Sequence, residues 1–285
     1  MKAAPFDYVR ATALDHALNA LAESEDAIIL AGGQTLVPMM AMRLARPATL
    51  IDLNEIEELA GIEMRDGYLS IRAMTRQAYA LTSADATAQM PLLAKALSFV
   101  GHTQTRNRGT IGGSIAHGDP SAEIPLCAIA LDAEIVLASR KDTRTVQARS
   151  FYTGPLSSVR RADECLTEIR FPIWRGGAVG IGFQEISPRH GDFAIVAVAA
   201  QFQFDADKIC RRAAVAVGGA TPNPVRAAEL ESALVGRRID MRLAAEVSRT
   251  VDPILSPTDD LHASAAYRRR VARVLTERAI LDAVA

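Results

Sequence analysis

The sequence of 285 residues is 49% hydrophobic and 5% aromatic, so it can form one large globular domain or two modest ones, and we expect two. Its 32 Lys and Arg residues nearly balance its 33 Asp and Glu residues, and the formal charge of −1 gives no positive field that would hold a nucleic acid. It has no run of about 18 apolar residues, so we predict a soluble, cytoplasmic protein without a membrane span.

The N-terminal part alternates predicted helices and strands. Asp15 can cap a helix through HALNALAE, and AIILAGG is typical of a buried strand that ends in a glycine turn. Pro38 suits the first turn of the next helix, PMMAMRLA, because its missing N–H would be unpaired there. The apolar run TLIDL predicts the strand that closes this unit.

A second unit follows the first. It opens with the strand GYLSIRAMT, continues through the helix PLLAKALSFVG and a glycine loop, and ends with the strand AEIVLAS. The two units predict two α/β lobes that face each other in an N-terminal domain of residues 1–175.

The pattern changes near Trp174, where three successive strands are predicted in RGGAVGIGFQEIS, FAIVAVAAQFQFD and ICRRAAVAVGGA. Turn residues from Asp205 to Lys208 join the last two strands. The middle strand carries on one face Val196, Val198, Phe202 and Phe204, and on the other Gln201 and Gln203. This alternation predicts an antiparallel sheet in a C-terminal domain of residues 176–285.

Three helical stretches follow these strands. In the last stretch one stripe contains Val271, Val274, Leu275 and Leu281, and the residues largely outside it are Arg268, Arg269, Arg270 and Arg273. Such a run of charges is typical of a solvated face or a subunit contact. The predicted fold class is therefore α+β, a two-lobed domain followed by an antiparallel sheet with helices.

The segment AGGQTLVP lies between a predicted strand and a predicted helix. In that position backbone N–H groups and a helix N-terminus form a nest for an anion, to which Gln34 and Thr35 add neutral donors. No Lys or Arg lies between Gly32 and Met42, so amides would hold the anion, which suits a buried pyrophosphate. An ordinary turn is the alternative, because glycine is the usual residue in turns.

A second glycine pair, Gly112 and Gly113, lies in TRNRGTIGGSIAHGDPSAE. Glycine loses conformational entropy on folding, so the pair predicts either positive φ angles in a turn or the close approach of a ligand. Other nucleotide motifs are missing, since there is no G-x-x-x-x-G-K-[ST] and no helix follows GAVGIG at Gly177. No G-x-S-x-G nucleophile motif is present either.

The cysteines and histidines are scattered along the chain. Cys127, Cys165 and Cys210 contain no C-x-x-C pair, which argues against a disulfide framework and a thiolate metal site. An iron–sulfur cluster generally needs four thiolates or close substitutes, and the five histidines show no ligand spacing. We therefore expect any metal to reside on a partner.

Two long segments, taken together, resemble a known family. AGGQTLVPMMAMRLARPATLIDLNEI and TQTRNRGTIGGSIAHGDPSAEIPLCAIALDAEI are similar to the two flavin-binding segments of the FAD-carrying medium subunit of molybdenum hydroxylases, the carbon monoxide dehydrogenase and xanthine dehydrogenase family. The resemblance extends to FQEISPRHGDFAIVAVAA, VGGATPNPVRAAELESAL and SAAYRRRVARVLTERAI. It implies a two-lobed FAD domain of the vanillyl-alcohol-oxidase-like (PCMH) type and a C-terminal domain of the carbon monoxide dehydrogenase flavoprotein type.

The resemblance also implies FAD contacts for particular residues. The pyrophosphate loop is matched by Ala31, Gly32, Gly33, Gln34 and Thr35, with Leu36 at its edge, and the second flavin segment by Thr110, Ile111, Gly112, Gly113 and Ser114. Glu123 matches an acidic position that hydrogen-bonds a flavin hydroxyl, and Asp119 is a second candidate for that role. On this interpretation the second glycine pair is bare because FAD lies on it.

Three residues carry open alternatives. Phe193 matches an aromatic position beside the isoalloxazine ring, and otherwise it is a core residue of a strand. His117 either contacts the flavin or stabilises its own loop by a hydrogen bond. Arg72 stands where the family usually has glycine, which affects the expected local turn but not the expectation of FAD.

The function that the resemblance implies is electron transfer by a bound FAD. Neither glycine loop offers the cysteine or histidine attachment pattern of a covalent flavin, so we expect the FAD to be held noncovalently. The chain would take electrons from [2Fe–2S] clusters of a small partner subunit and pass them to an external acceptor. The small subunit would itself accept electrons from a large subunit that carries the molybdenum cofactor. The expected assembly is a dimer of heterotrimers. The redox chemistry belongs to the cofactor, so we name no catalytic acid or nucleophile on this chain. A self-sufficient flavin oxidase, or a scaffold whose glycine loops are only turns, are the alternatives.

Overall fold

The first lobe of the computed structural model, which describes residues 2–285, is a sheet of parallel strands with two helices. Its elements are β1 (Asp7–Arg10), α1 (Leu14–Glu23), β2 (Ala27–Leu30), α2 (Leu36–Ala41) and β3 (Thr49–Asp52). Strand β3 lies between β1 and β2 and is parallel to both. Leu18 and Leu21 of α1 recur at helical spacing and pack in one cluster with Ile51 of the sheet.

The start of α1 differs from the prediction. Its N-cap is Ala13, and no side chain caps it. Asp15 instead lies in the first turn, where a negative charge is favoured by the helix dipole. Pro38 lies in the first turn of α2, as predicted.

The second lobe is built on an antiparallel sheet. Its strands are β4 (Ile62–Arg65), β5 (Tyr68–Arg72), β6 (Glu134–Ala138) and β7 (Thr143–Gln147), then a small separate hairpin of β8 (Tyr152–Gly154) and β9 (Ser157–Ser158), and finally β10 (Cys165–Pro172). The order across the main sheet is β4-β5-β10-β6-β7. Strand β10, the last strand of this lobe, is therefore inserted between two earlier strands.

A series of short helices connects β5 to β6. They are α3 (Gln77–Thr82), α4 (Ala84–Gln89), α5 (Pro91–Leu97), α6 (Thr103–Arg108), α7 (Ile111–His117) and α8 (Glu123–Ala130). Every residue of α8 is buried, so this helix lies at the centre of the molecule. The predicted glycine loop around Gly112 is wrong, because this segment is helix α7, which ends at His117 and is capped by Gly118 with a φ of 67°.

The C-terminal part is an antiparallel sheet with helices on one face. Its elements are β11 (Ala178–Ile186), β12 (Val196–Phe204), β13 (Cys210–Gly218), β14 (Val225–Arg226), α9 (Ala228–Leu234), α10 (Met241–Val247) and α11 (Ala265–Val284). The successive strands β11, β12 and β13 are neighbours, which confirms the predicted sheet. Val196, Val198 and Phe202 pack on the helices, as the alternation predicted.

Helix α11 lies directly against the backbone of β11. A Cβ atom at Gly180 would overlap the carbonyl oxygen of Ala283, and one at Gly182 would overlap that of Ala279. Only glycine permits such an approach of two backbones. The glycine-rich segment GAVGIG therefore serves the packing of this helix.

The predicted face of α11 is wrong at Arg268 and Val274. Arg268 is buried, and its guanidinium donates to the carbonyl oxygens of Ile195 and Gly219 and pairs with Asp260. Val274 is 42% exposed. The close approach to β11 occurs at two alanines, Ala279 and Ala283. Besides Arg268, the buried residues of the helix are Ala272, Leu275, Thr276, Ala279, Ile280 and Ala283.

The other face of the C-terminal sheet continues the core of the second lobe. Phe183, Ala197 and Ala216 belong to the same buried cluster as residues of α5 and α8. The predicted boundary after residue 175 stays a prediction. Among residues 2–285 there is no helix with the length and hydropathy needed to cross a membrane.

Candidate functional site

A cavity of about 560 Å³ opens between the two N-terminal lobes and the loop before β12. This volume is typical of small-molecule sites. Its wall brings together most of the residues that the resemblance selects: Ala31, Gly32, Gly33, Gln34, Thr35, Leu36, Thr110, Gly112, Gly113, Ser114, Asp119, Glu123 and Phe193. Ile111 is the exception, because it is fully buried in the hydrophobic core and does not reach the wall.

The loop between β2 and α2 presents backbone donors that the protein leaves unused. Within residues 2–285, the N–H groups of residues 32–35 donate to no acceptor, and the first hydrogen bond into α2 runs from Val37 N to Gly33 O at 3.1 Å. Gly33 has a φ of 72°, a left-handed conformation that favours glycine. Consecutive free N–H groups at such a turn have the chemistry of an anion nest.

Gly32 lies where the second lobe contacts this loop. A Cβ atom at Gly32 would overlap the carbonyl oxygen of Arg108. The same junction is tied by Asn54, whose Nδ2 donates to Ala31 O at 2.9 Å and whose Oδ1 accepts from Arg76 Nη2 at 2.6 Å. The contact between lobes therefore requires a glycine here, whatever the cavity holds.

The second glycine pair is helical, and its amides are already used. Thr110 caps α7 by accepting a hydrogen bond at Oγ1 from Gly113 N at 3.0 Å, and Gly112 N donates to Ala73 O at 2.8 Å. A Cβ atom would lie 2.5 Å from Ala73 Cβ at Gly112, and 2.7 Å from Thr110 Oγ1 at Gly113. Protein atoms thus exclude a side chain at both positions, a reason that the sequence interpretation missed.

Glu123 and Asp119 are acidic residues of the cavity wall, and Glu185 of the C-terminal sheet lies close enough to Glu123 to feel its charge. Glu123, the first residue of α8, is only 6% exposed, and its burial, with a smaller contribution from Asp119, raises its pKa to about 7. Burial and the nearby charge of Glu123 raise the pKa of Glu185 on β11 to about 8. Glu123 therefore changes its charge close to neutral pH.

Phe193 lies at the mouth of the cavity. It is 62% exposed, which excludes the alternative that it is a core residue of β12. Gly191, two residues earlier, has a φ of 86°, and a Cβ atom there would lie 2.7 Å from His102 Cε1. The loop before β12 therefore rests on the start of α6 and leaves the ring of Phe193 at the opening.

Arg72, at the position where a glycine is usual, does not disturb the wall. It ends β5 in extended backbone paired with Glu168, a conformation that any residue adopts. Its guanidinium lies 3.2 Å from Glu63 and 4.0 Å from Glu168. Its neighbour Ala73 lines the cavity instead.

The wall also contains residues whose role the sequence did not indicate. Gln77 Oε1 is buried and has no hydrogen-bond partner among residues 2–285. Arg160 lies in the irregular segment before β10 next to Arg161, and no periodicity indicates which of the two faces the cavity. Cys165 is buried, which raises the pKa of its thiol to about 12. His117 lines the cavity as well.

Two family models match the chain. The model described as the FAD binding domain in molybdopterin dehydrogenase matches residues 4–174. The model described as the CO dehydrogenase flavoprotein C-terminal domain matches residues 182–283. Together they cover nearly the whole chain in the order that the sequence resemblance implied.

Curated relatives align along nearly their full lengths. The alpha subunit of the 6-hydroxypseudooxynicotine dehydrogenase complex of Paenarthrobacter nicotinovorans is 36% identical over 285 residues, which is 100% of this chain and 96% of the relative. The carbon monoxide dehydrogenase medium chain of Hydrogenophaga pseudoflava is 32% identical over 276 residues, or 96% of each chain.

Solved structures show the same fold. A chain of quinoline 2-oxidoreductase from Pseudomonas putida 86 has a TM-score of 0.94 at 35% identity, covering 100% of this chain and 98% of that one. A chain of carbon monoxide dehydrogenase from Hydrogenophaga pseudoflava has a TM-score of 0.95 at 33% identity, covering 99% and 98%. The chain therefore belongs to the FAD-binding medium subunits of the molybdenum hydroxylase family, the group that includes carbon monoxide dehydrogenase and xanthine dehydrogenase.

Proposed function

We propose that this chain is the electron-transfer subunit of a molybdenum hydroxylase complex. It would receive electrons from [2Fe–2S] clusters of a small partner subunit and pass them to an external acceptor, while a large subunit with the molybdenum cofactor oxidises the substrate. We infer a dimer of heterotrimers in the cytoplasm, a compartment in keeping with three buried free cysteines. FAD supplies the redox chemistry, and the chain supplies position and electrostatics.

The observation that carries this proposal is the set of unused donors and acceptors in the cavity wall. The free N–H groups of residues 32–35 suit the pyrophosphate of FAD. Glu123 offers a carboxyl acceptor to hydroxyl or N–H groups. Phe193 would cover part of the isoalloxazine at the mouth, and Ser114 would add a hydroxyl from α7.

A self-sufficient flavin oxidase is the second candidate function. Direct oxidation of a substrate generally needs an acid–base group beside it, and both His117 and Glu123 line the cavity. The two functions differ in where the substrate binds, because in the electron-transfer proposal it binds on another chain.

Anaerobic mixing distinguishes these functions. Relatives are named for N-heteroaromatic compounds, aldehydes and carbon monoxide, so these classes form the substrate panel. We expect the flavin absorbance of the isolated chain to stay unchanged with every member, and that of the complete complex to bleach with its own substrate. Bleaching in the isolated chain would establish the oxidase, and an isolated chain that takes up no flavin would establish the scaffold.

We also propose that the flavin is held noncovalently. His117 and Cys165 are the wall residues of the types that form flavin bonds, and burial raises the pKa of Cys165 to about 12, so its thiol is not reactive. Acid precipitation should leave all of the flavin in the supernatant. Flavin that stays in the washed pellet would show a covalent bond, and replacing His117 or Cys165 would identify its site.

A further inference from the structure

The FAD pyrophosphate needs a positive partner that its loop does not contain. The pyrophosphate carries negative charge, and the loop between β2 and α2 offers only neutral N–H groups. Three other residues of the wall, Asp119, Glu123 and Asp192, are acidic and therefore provide no positive charge. Burying an anion without a counter-charge is costly, so a cation in the wall has a specific task.

Arg160 is the one Arg or Lys side chain in the wall formed by residues 2–285. Its Nη1 donates to the carbonyl oxygens of Arg161 at 2.9 Å and Glu164 at 2.7 Å, which fixes the guanidinium in place. No carboxylate within these residues lies at salt-bridge distance, and Nε and Nη2 have no protein acceptor. The guanidinium is thus held in place, its charge has no anionic partner among these residues, and two of its nitrogens remain free to donate hydrogen bonds.

Arg160 shares the cavity wall with the loop between β2 and α2. Arg160 precedes β10, whose first residue, Cys165, is in the same wall. Cys165 belongs to the buried cluster on which Ile29 and Ala31 pack, and these residues lead into the loop. The acidic residues Glu123 and Asp192 lie instead toward the C-terminal sheet and the loop before β12.

We propose that Arg160 binds the pyrophosphate of FAD, with its free guanidinium nitrogens donating to phosphate oxygens while Nη1 stays on its two carbonyls. Guanidinium and phosphate groups match in both charge and geometry. The proposal needs only that the chain binds FAD, and it does not depend on the electron-transfer role. A failure here would therefore leave the proposed function intact.

Arg108 is the rival cation. It lies on the other side of the loop, in a second hollow of about 350 Å³ that also contains Asn54 and Asp52. Arg161 is the neighbouring residue of the same type, but its guanidinium already forms salt bridges, at 2.7 Å to Asp142 and 2.9 Å to Glu164. Both arginines serve as controls.

The test is titration of the flavin-free full chain with FAD, followed by flavin fluorescence at low and at high NaCl. We expect Arg160→Gln to weaken FAD binding roughly 10- to 100-fold at low salt and to reduce its salt dependence, as the loss of a charge-assisted contact predicts. Arg160→Lys should recover part of the affinity because it keeps the charge. Arg161→Gln and Arg108→Gln should stay within about twofold of wild type.

Three results would overturn the proposal. An affinity of Arg160→Gln within about twofold of wild type would show that the side chain does not contact the cofactor. A loss with unchanged salt dependence would mean that Arg160 only holds the turn at Arg161 and Glu164. A loss in Arg108→Gln alone would transfer the role to the outer side of the loop.

Discussion

The glycines around the cavity have different physical reasons for lacking a side chain. Gly33 has a left-handed backbone, Gly32 lies against a carbonyl group of the other lobe, and Gly112 lies against Ala73. The sequence indicated either a turn or a bound ligand at both glycine pairs. The sequence did not show whether a turn, a neighbouring segment or a ligand is the cause, because each of the three causes requires the same residue, glycine.

Gly33→Ala tests the role of the loop conformation. A side chain at positive φ strains the backbone by about 1 kcal/mol, and this Cβ atom would also lie 3.1 Å from Val37 Cγ2. Relief of that strain would turn the free N–H groups of residues 32–35 away from each other. We expect FAD affinity to fall at least roughly tenfold in fluorescence titration.

Gly236→Ala is the matched control for this prediction. Gly236 has a φ of 82° and open space around its Cβ position, and it lies in the C-terminal part. We expect both variants to lose similar free energy of unfolding, and only Gly33→Ala to lose FAD affinity. Equal FAD affinity of the two variants would show that the loop does not hold the cofactor.

Glu123 gives the flavin-free chain a specific pH dependence. Its pKa rises from about 4.5 in the unfolded chain to about 7 in the folded one, so the folded chain holds a proton that the unfolded chain releases. This stabilisation is complete below about pH 4.5 and is lost as the pH rises to about 7, a change on the order of 3 kcal/mol. Glu123→Gln removes the titrating group and replaces it with an uncharged side chain similar in shape to the protonated glutamate.

Urea unfolding of the flavin-free chain at about pH 5 and about pH 8 measures this effect. We expect the free energy of unfolding to fall less between the two pH values in Glu123→Gln than in wild type. Glu246→Gln, at an exposed position of α10, should behave as wild type. An identical pH dependence of Glu123→Gln and wild type would mean that Glu123 is ionised throughout.

At the scale of elements, local patterns predicted strands better than helices with mixed composition. Alternation fixed the faces of β12, because side chains on a strand point to opposite sides of the sheet. Helix α7 was missed because glycine disfavours helix and its stability comes from contacts distant in sequence, such as Gly112 N to Ala73 O. The insertion of β10 between β5 and β6 also leaves no local signal.

The loop before β12 carries a prediction of its own at Phe193. Because the ring is 62% exposed, Phe193→Ala should leave the melting temperature and FAD occupancy unchanged. It should alter the flavin absorption spectrum and the rate at which external acceptors are reduced, since the ring lies at the mouth of the cavity. Stopped-flow mixing of the prereduced complex with acceptors measures that rate.

Phe202→Ala gives the contrast for a buried ring. Phe202 is fully buried in β12, and its truncation should lower the melting temperature without a specific change in acceptor rate. An unchanged spectrum and acceptor rate in Phe193→Ala, with a lowered melting temperature, would make Phe193 a packing residue and contradict the proposed contact.

At the scale of the whole molecule, the two predicted parts share structure that the sequence did not reveal. Phe183 and Ala216 of the C-terminal sheet join the core around α8, and Arg226 of β14 pairs with Asp132, which follows α8. Glu123 begins α8, so the cavity wall depends on this junction. The sequence predicted the order of the two parts along the chain. It did not predict their contacts, because no local sequence pattern indicates which distant residue a buried residue packs against.

The last prediction concerns the metals of the assembly. Cys127, Cys165 and Cys210 are all buried and lie on α8, β10 and β13, and burial raises the pKa of each thiol, to about 12 for Cys165 and about 11 for Cys210. Iron–sulfur clusters are held by thiolates from converging cysteines, which these positions do not supply. Elemental analysis should therefore find neither iron nor molybdenum in the separately purified chain with its FAD bound, and both metals in the native complex. Stoichiometric iron in the separate chain would place a cluster on this subunit and contradict the proposed division of cofactors among subunits.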